Sequence, residues 1–268
     1  MTKNKSFNNI ANIEKSWEEI MKNNNPSYIG ITGFTRKEQI RRLLMEIIPG
    51  HTHKLMVGVL VNNITMRGIH IRSRYANTNS IPEIFLKDNR VLNIIHFNTY
   101  EKEKLLEHLT QLIYIAGENL HGFQLNMKWP DLNLLSEFKK RFPNKKIVVQ
   151  MERDDFENYT PQQMSKKLIE YDYLADYVIL DMSMGSGTEM HAQKLIEYGE
   201  EISKKTSLKI VFAGGLHAKN LHIIKPIIRL FPDACIDAEG KLMNESDSLD
   251  PQKTISYLHK ALSMFFKK

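Results

Sequence analysis

Three stretches in the second half of the chain share one design, and that repetition constrains the fold more than any other feature. An apolar run ends at Asp181 and is followed by Gly185-Ser186-Gly187; a second, Lys209-Ile-Val-Phe-Ala, runs into Gly214-Gly215; a third, Ala234-Cys-Ile-Asp-Ala, runs into Glu239-Gly240. A short buried strand followed by a polar, glycine-rich turn, repeated with helical spacers, is how a parallel α/β protein builds a site at the carboxyl ends of its strands. The pattern locates a site without naming a reaction.

Strand-like segments recur along the whole chain, at 28–35, 54–63, 90–98, 122–127, 147–151, 175–182, 208–213 and 234–238. Helical periodicity fills most gaps between them, at 37–48, 101–115, 132–142, 161–171, 191–204 and 221–231, and 251–265 supplies a last helix. Pro143-Asn144 and Pro232-Asp233 mark helix-to-strand turns. Eight such units in 268 residues predict a single (β/α)8 TIM barrel of the α/β class, not an open sheet. The barrel domain is expected over 26–268. Residues 1–25, rich in Asn and Lys, are expected to form a short N-terminal extension with an amphipathic segment at 10–21. One gap, 64–89, has little periodicity, and irregular loops leaving the top of a strand often carry ligand contacts.

Composition narrows the partners. The apolar runs are too short to span a bilayer, and the first residues, Met-Thr-Lys-Asn-Lys-Ser-Phe, hold no signal-peptide core. The single cysteine, Cys235, excludes an internal disulfide and suits a reducing cytoplasm, where the protein is expected to reside. The net charge of +6 comes from lysines scattered along helices, as in Lys139-Lys140-Arg141 and Lys204-Lys205. Such spacing reads as solvated helix faces and not as a nucleic-acid patch, although the excess can attract an anionic metabolite. The expected partner is a small molecule, with no nucleic acid, membrane, cofactor or metal, and the expected state is a monomer or homodimer.

Strand residues in a barrel alternate between the interior and the helix layer, so parity at the carboxyl ends picks out candidate site residues. Same-parity polar pairs are His96 and Asn98, Gln124 and Asn126, Gln150 and Glu152, Asp181 and Ser183, and Asp237 and Glu239, with Thr32 on the first strand. A purely structural barrel would place Val, Ile or Leu there, since each unpaired buried polar group costs about 1–3 kcal/mol. Asp181 is the candidate general acid or base, with Glu152 and Asp237 as further catalytic carboxylates or, alternatively, top-face salt-bridge partners. Thr32, His96, Gln124, Asn126, Gln150 and Ser183 are candidate substrate hydrogen-bonding groups. Gly185, Ser186, Gly187, Gly214, Gly215 and Gly240 sit where barrels bind phosphate through backbone N–H groups, or else form tight turns. Cys235, at the start of the last strand, is expected to be buried and inert.

Several motifs resemble phosphoribosylanthranilate isomerase over residues 28 to about 260. Ile31-Thr-Gly-Phe-Thr-Arg36 resembles the family's Ile-Cys-Gly-Ile-Thr-Arg, and Gly122-Phe-Gln-Leu-Asn126 its Val-Gln-Leu-His-Gly. Phe212-Ala-Gly-Gly-Leu216 with Asn220 resembles its Ala-Gly-Gly-Leu and helix-start Asn, and Cys235-Ile-Asp-Ala-Glu-Gly240 its Val-Asp-Val-Ser-Ser-Gly phosphate loop. The resemblance implies a general acid at Asp181 and, through Ser73-Arg74-Tyr75, an arginine that meets a substrate carboxylate.

The departures alter the chemistry. The family's basic cysteine is Thr32, its fourth-strand histidine is Asn126, and its Ser-Ser is Ala238-Glu239. A hydroxyl has no accessible anion near neutral pH and cannot replace a thiolate. The resulting expectation is an enzyme acting on a small sugar-containing or nucleotide-like metabolite, phosphorylated or not, by acid–base chemistry at Asp181, other than the family's own isomerisation. One alternative is a degenerate barrel that binds a metabolite or partner without chemistry. Another is a metal-dependent hydrolase using Glu152, Asp181, Asp237 and His96. An anion cradle at Gly214, Gly215 and Gly240 is expected only if Glu239 turns away; if Glu239 points inward, the site selects a neutral or cationic group.

Overall fold

The computed structural model describes residues 25–47, 50–182 and 191–266. The amphipathic segment expected at 10–21, Ser183 and the loop Gly185-Ser186-Gly187 lie outside the described residues.

Eight strands form: β1 (Tyr28–Thr32), β2 (Lys54–Asn62), β3 (Val91–Asn98), β4 (Gly122–Leu125), β5 (Lys146–Met151), β6 (Tyr177–Asp181), β7 (Lys209–Ala213) and β8 (Cys235–Ala238). They are parallel and close in sequence order into a barrel. The seam joins β8 to β1 through Ile29↔Ile236, Gly30↔Asp237 and Ile31↔Ala238. The chain is a (β/α)8 TIM barrel. Its strands read as nearly continuous apolar runs because both faces are covered, as parallel sheets require.

Parity divides these runs. Ile29, Ile31, Val57, Phe97, Phe123, Leu180 and Phe212 point outward and join the helices in one large core. Tyr28, Met56, Leu92, Ile94, Val148, Tyr177, Val211 and Cys235 point inward and plug the barrel from below. Within the plug the Tyr28 and Tyr177 rings lie 5.3 Å apart, and the Tyr177 hydroxyl donates to the Pro26 carbonyl at 2.9 Å. The plug fills the barrel interior below the carboxyl ends of the strands.

Three of the helices start on short polar caps that satisfy otherwise orphaned N–H groups. Asp131 accepts from the N–H groups of Asn133 and Leu134 at 2.8 and 3.0 Å to begin helix Leu132–Arg141. Thr160 and Asp250 do the same ahead of Pro161 and Pro251, which open helices Pro161–Leu168 and Pro251–Phe265. Among the described residues no helix is long and apolar enough to cross a membrane.

Two details differ from the sequence pattern. The spacer at 221–231 splits into a 3-10 turn, Leu221–Ile224, and a short helix, Lys225–Leu230, because Pro226 lacks an N–H and is tolerated only in a first turn. A helix at Arg153–Asn158, absent from the periodicity, follows β5; a reciprocal capping box between Glu152 and Asp155 starts it. The irregular segment 64–89 holds turns at Thr65–Arg67 and Thr78–Ser80 and a short helix, Ile81–Ile84, and it joins the barrel where Tyr75 bridges Leu60.

At Gly122 a Cβ would fall 2.1 Å from the Lys146 carbonyl oxygen, a backbone atom of the paired strand that no side-chain rotation can clear. Gly122→Ala is therefore expected to destabilise the fold by about 1–3 kcal/mol in urea unfolding. An unchanged midpoint would contradict this close approach of β4 to β5.

Candidate functional site

A cavity of about 220 Å³ opens at the carboxyl ends of the strands. Arg74, His96, Gln124, Asn126, Gln150, Glu152, Asp181, Gly214, Gly215, Asp237, Glu239, Gly240 and Lys241 line it, with Ile179, Ala213 and Ala238 between them. Among the described residues that strand parity picks out, all line this cavity except Thr32 and Asn98. Thr32 is fully buried, and its hydroxyl lies against Gly58, where a Cβ would approach within 2.2 Å. The missing side chain at its register partner draws the hydroxyl toward β2, so Thr32 is not a cavity residue.

The floor of the cavity is polar but uncharged. His96 is buried, and burial lowers its pKa against the opposing pull of Glu239 and Asp181, so the imidazole is neutral near pH 7. Neither ring nitrogen has a hydrogen-bond partner among the described residues. The Gln124 amide donates to Gln150 Oε1 at 3.3 Å, which leaves Gln124 Oε1 unpartnered there. Asp237 is buried, and Gly30 across the seam gives it room: a Cβ at Gly30 would sit 2.4 Å from Asp237 Oδ1. Burial, then the charges of Glu239 and Asp181, push the Asp237 carboxyl well above the usual carboxylate range, so it holds its proton. Its Oδ1 has no partner among the described residues.

Charge gathers higher up. Asp181 and Asp237 lie at one level, each in register with Ala213, whose small side chain leaves the space between them clear. Half-buried Glu152 has a raised pKa, from burial first and then from Asp155, with Lys128 pulling the other way. Asp155 also fixes that corner: its Oδ2 accepts the Glu152 N–H at 2.9 Å and its Oδ1 the Trp129 indole N–H at 2.8 Å. Gly214 and Gly215 turn the chain at φ of 134° and 58°, conformations that favour glycine. Asn220 holds this turn, accepting from His217 N–H at 2.8 Å and donating to the Gly215 carbonyl at 3.0 Å.

Glu239 points inward. It lines the cavity and accepts from Arg74 Nη1 at 2.8 Å, with its other oxygen 3.9 Å from His96 Nδ1. Arg74 also donates from Nε to Asp247 Oδ1 at 2.7 Å and pairs with that oxygen through Nη2. Arg72 adds bonds of 2.9 and 3.0 Å to Asp247. The arginine expected to meet a substrate carboxylate is thus held between two carboxylates of its own chain, and the condition set for the anion cradle is not met.

Among the described residues no group of three His, Cys, Asp or Glu side chains is placed to hold a metal ion, so Glu152, Asp181, Asp237 and His96 form no ligand set. Cys235 lies in the plug, where its sulfur accepts the Tyr28 N–H at 3.3 Å and burial pushes the thiol up to about 12; it is no nucleophile. Sequence reasoning missed Lys241, Asp247 and Asp155. The first two sit on the β8 loop, where parity has no force, while Asp155 had a usable signal in the Glu152-x-x-Asp155 capping spacing.

No protein-family model and no curated protein sequence matches the chain. Its structure is similar to phosphoribosylanthranilate isomerase from Thermus thermophilus, with a TM-score of 0.62 and 16% identity over 88% of this chain and 99% of that one. The corresponding enzyme of Thermotoga maritima gives 0.61 and 15%, with the same shares of 88% and 99%. Tryptophan synthase subunit alpha from Legionella pneumophila gives 0.56 and 11% over 94% of this chain and 97% of that one. At these identities the likeness is one of fold, and the isomerase resemblance is distant.

The raised pKa of Asp237 sets a pH signature. The folded state keeps a proton that the unfolded chain releases near pH 4, so stability falls as pH rises from there to the folded pKa, by up to about 1.4 kcal/mol per unit. Asp237→Asn, which carries no titrating proton, is expected to remove that slope and gain in melting temperature over wild type as pH rises. Parallel pH–stability curves for the two proteins would place the Asp237 carboxyl in the ordinary range.

Proposed function

We propose that the chain is an enzyme that moves a proton on a small metabolite held at the barrel mouth, with Asp237 as the acid and Asp181 as the accepting carboxylate. The observation that carries this reading is the buried Asp237 carboxyl lining the cavity, level with Asp181 across the small Ala213, with burial raising its pKa. Two carboxyl groups in unlike surroundings, one kept neutral by burial and one near solvent, are the arrangement that acid–base catalysis uses at neutral pH. Gln124, Gln150, Asn126 and His96 supply uncharged donors and acceptors that orient the ligand, and Glu152 is a second carboxylate within the same cavity.

The binding-only alternative needs Asp181 to stand alone, whereas Asp237 and Glu152 share its cavity. In a net transfer the proton leaves Asp237 for one ligand atom while Asp181 takes one from another; exchange with solvent then restores the proton on Asp237 and removes the one on Asp181, so no external reagent is consumed. That balance fits an isomerisation.

One structurally similar isomerase was solved in complex with reduced 1-(o-carboxyphenylamino)-1-deoxyribulose 5-phosphate, and another is described as dimeric. For this chain we infer a different small substrate, a cytoplasmic setting and a monomeric or homodimeric state. The reaction of those isomerases is not proposed here, because the position of their basic cysteine holds a buried threonine, Thr32. Introduced into a tryptophan auxotroph lacking the isomerase, the chain is expected not to restore growth; colonies without tryptophan would refute that assignment.

The direct test is a thermal-shift screen against a metabolite library, followed by NMR detection of solvent deuterium entering each ligand that binds. Asp181→Asn and Asp237→Asn are each expected to slow exchange or turnover by about 100-fold or more, with much smaller changes in affinity. Full turnover in both variants would overturn the acid–base assignment.

A further inference from the structure

We propose that Glu239 occupies the place of a ligand anion on Arg74, so that the cavity takes an uncharged, polyhydroxylated compound and excludes phosphate and carboxylate. The inference rests on the reading that this cavity is a small-molecule site, and it names the class of molecule the site admits.

An arginine at a cavity wall is the usual clamp for an oxyanion, through paired N–H donors. Here each of its three nitrogens already has a carboxylate partner: Nη1 on Glu239 at 2.8 Å, and Nε and Nη2 on Asp247. The Arg74 side chain is only 14% exposed, so it has little freedom to swing to a second acceptor. Asp247 is in turn held by Arg72, which ties the loop after β2 to the loop after β8 and fixes Arg74 between its two partners.

Local charge points the same way. The chain carries +6 overall, yet Glu152, Asp181 and Glu239 face the cavity against Arg74, whose charge is shared with Asp247, and exposed Lys241. An entering phosphate would meet the Glu239 carboxylate on the wall where Arg74 stands. Below them, His96, Gln124 and protonated Asp237 present both donors and acceptors without charge, and Gln124 Oε1 and both imidazole nitrogens have no partner among the described residues. Hydroxyl groups, each donor and acceptor at once, match such a floor. The Gly214-Gly215 turn does not contradict this, since a backbone N–H serves a hydroxyl oxygen as it serves a phosphate.

Calorimetric titration with inorganic phosphate tests the inference without any knowledge of the substrate. Wild type is expected to show no binding in the millimolar range. Glu239→Gln, which removes the charge at nearly constant shape, is expected to bind phosphate at least about tenfold more tightly. Glu239→Ser serves as a second variant in case the new amide still fills the Arg74 donors, and combining either change with Arg74→Gln is expected to abolish the gain. Thermal unfolding confirms that each protein is folded. Wild type binding phosphate as well as both Glu239 variants would overturn the inference, and so would no gain in either variant. These outcomes are separable from failure of the acid–base assignment, which is read from turnover in the Asp181 and Asp237 variants.

Discussion

The barrel closes through three residue pairs between β8 and β1, and the site depends on the middle one, Gly30↔Asp237. A closed eight-stranded barrel has an interior just wide enough for side chains, so whatever points inward displaces something else. With no side chain at Gly30, the Asp237 carboxyl lies in the gap, close to where a Cβ would stand. The same closure buries that carboxyl and raises its pKa. Fold and chemistry meet at this seam: an alanine at Gly30 would crowd the acid and the last strand pairing together.

Placing polar groups in such an interior works against stability. Each buried donor or acceptor without a partner costs on the order of 1–3 kcal/mol, and His96, Gln124, Asp237 and Thr32 all hold such atoms among the described residues. The apolar plug around Tyr28 and Tyr177 and the outer core between strands and helices supply the opposing burial. The division of labour runs along the barrel axis, with packing below and unsatisfied polarity above. Stability strain of this kind gathers where a ligand can relieve it.

Most of this was legible because barrel strands obey two rules that sequence shows directly. Recurring apolar runs placed the eight strands to within three residues at each end, and parity at their ends brought His96, Gln124, Gln150, Glu152, Asp181 and Asp237 into one cavity. Thr32 obeys the parity rule but fails to reach the cavity, because Gly58 beside it leaves a hole that its hydroxyl fills. No strand pattern encodes the side chain missing from a neighbour in register. Lys241 and Asp247 were invisible for the complementary reason: loops have no period, so contacts between the loop after β2 and the loop after β8 follow from the closed topology alone. The Arg153–Asn158 helix was hidden by its polarity, as a short capped turn with two buried positions carries almost no periodic signal.

Function departs from fold in the charges at the strand ends. A βα-barrel presents loops of fixed origin around one mouth and tolerates many chemistries there, so backbone likeness says little about the ligand. Here the mouth carries a glycine turn after β7, held by Asn220, and an arginine on the loop after β2. What differs is the acceptor that the arginine meets. A carboxylate from the chain itself, Glu239, neutralises it from one side and Asp247 from the other, so the strongest anion-binding group at the mouth is satisfied before any ligand arrives. Freed of the need to hold a charged handle, the site has to position its ligand by hydrogen bonds, each of which contributes far less than an ion pair at a buried arginine. On the proposed reading, that requirement accounts for a floor so densely set with amide, imidazole and carboxyl groups, and it links the buried Asp237 carboxyl to the paired charges above it: both suit a cavity that would hold an uncharged molecule by geometry.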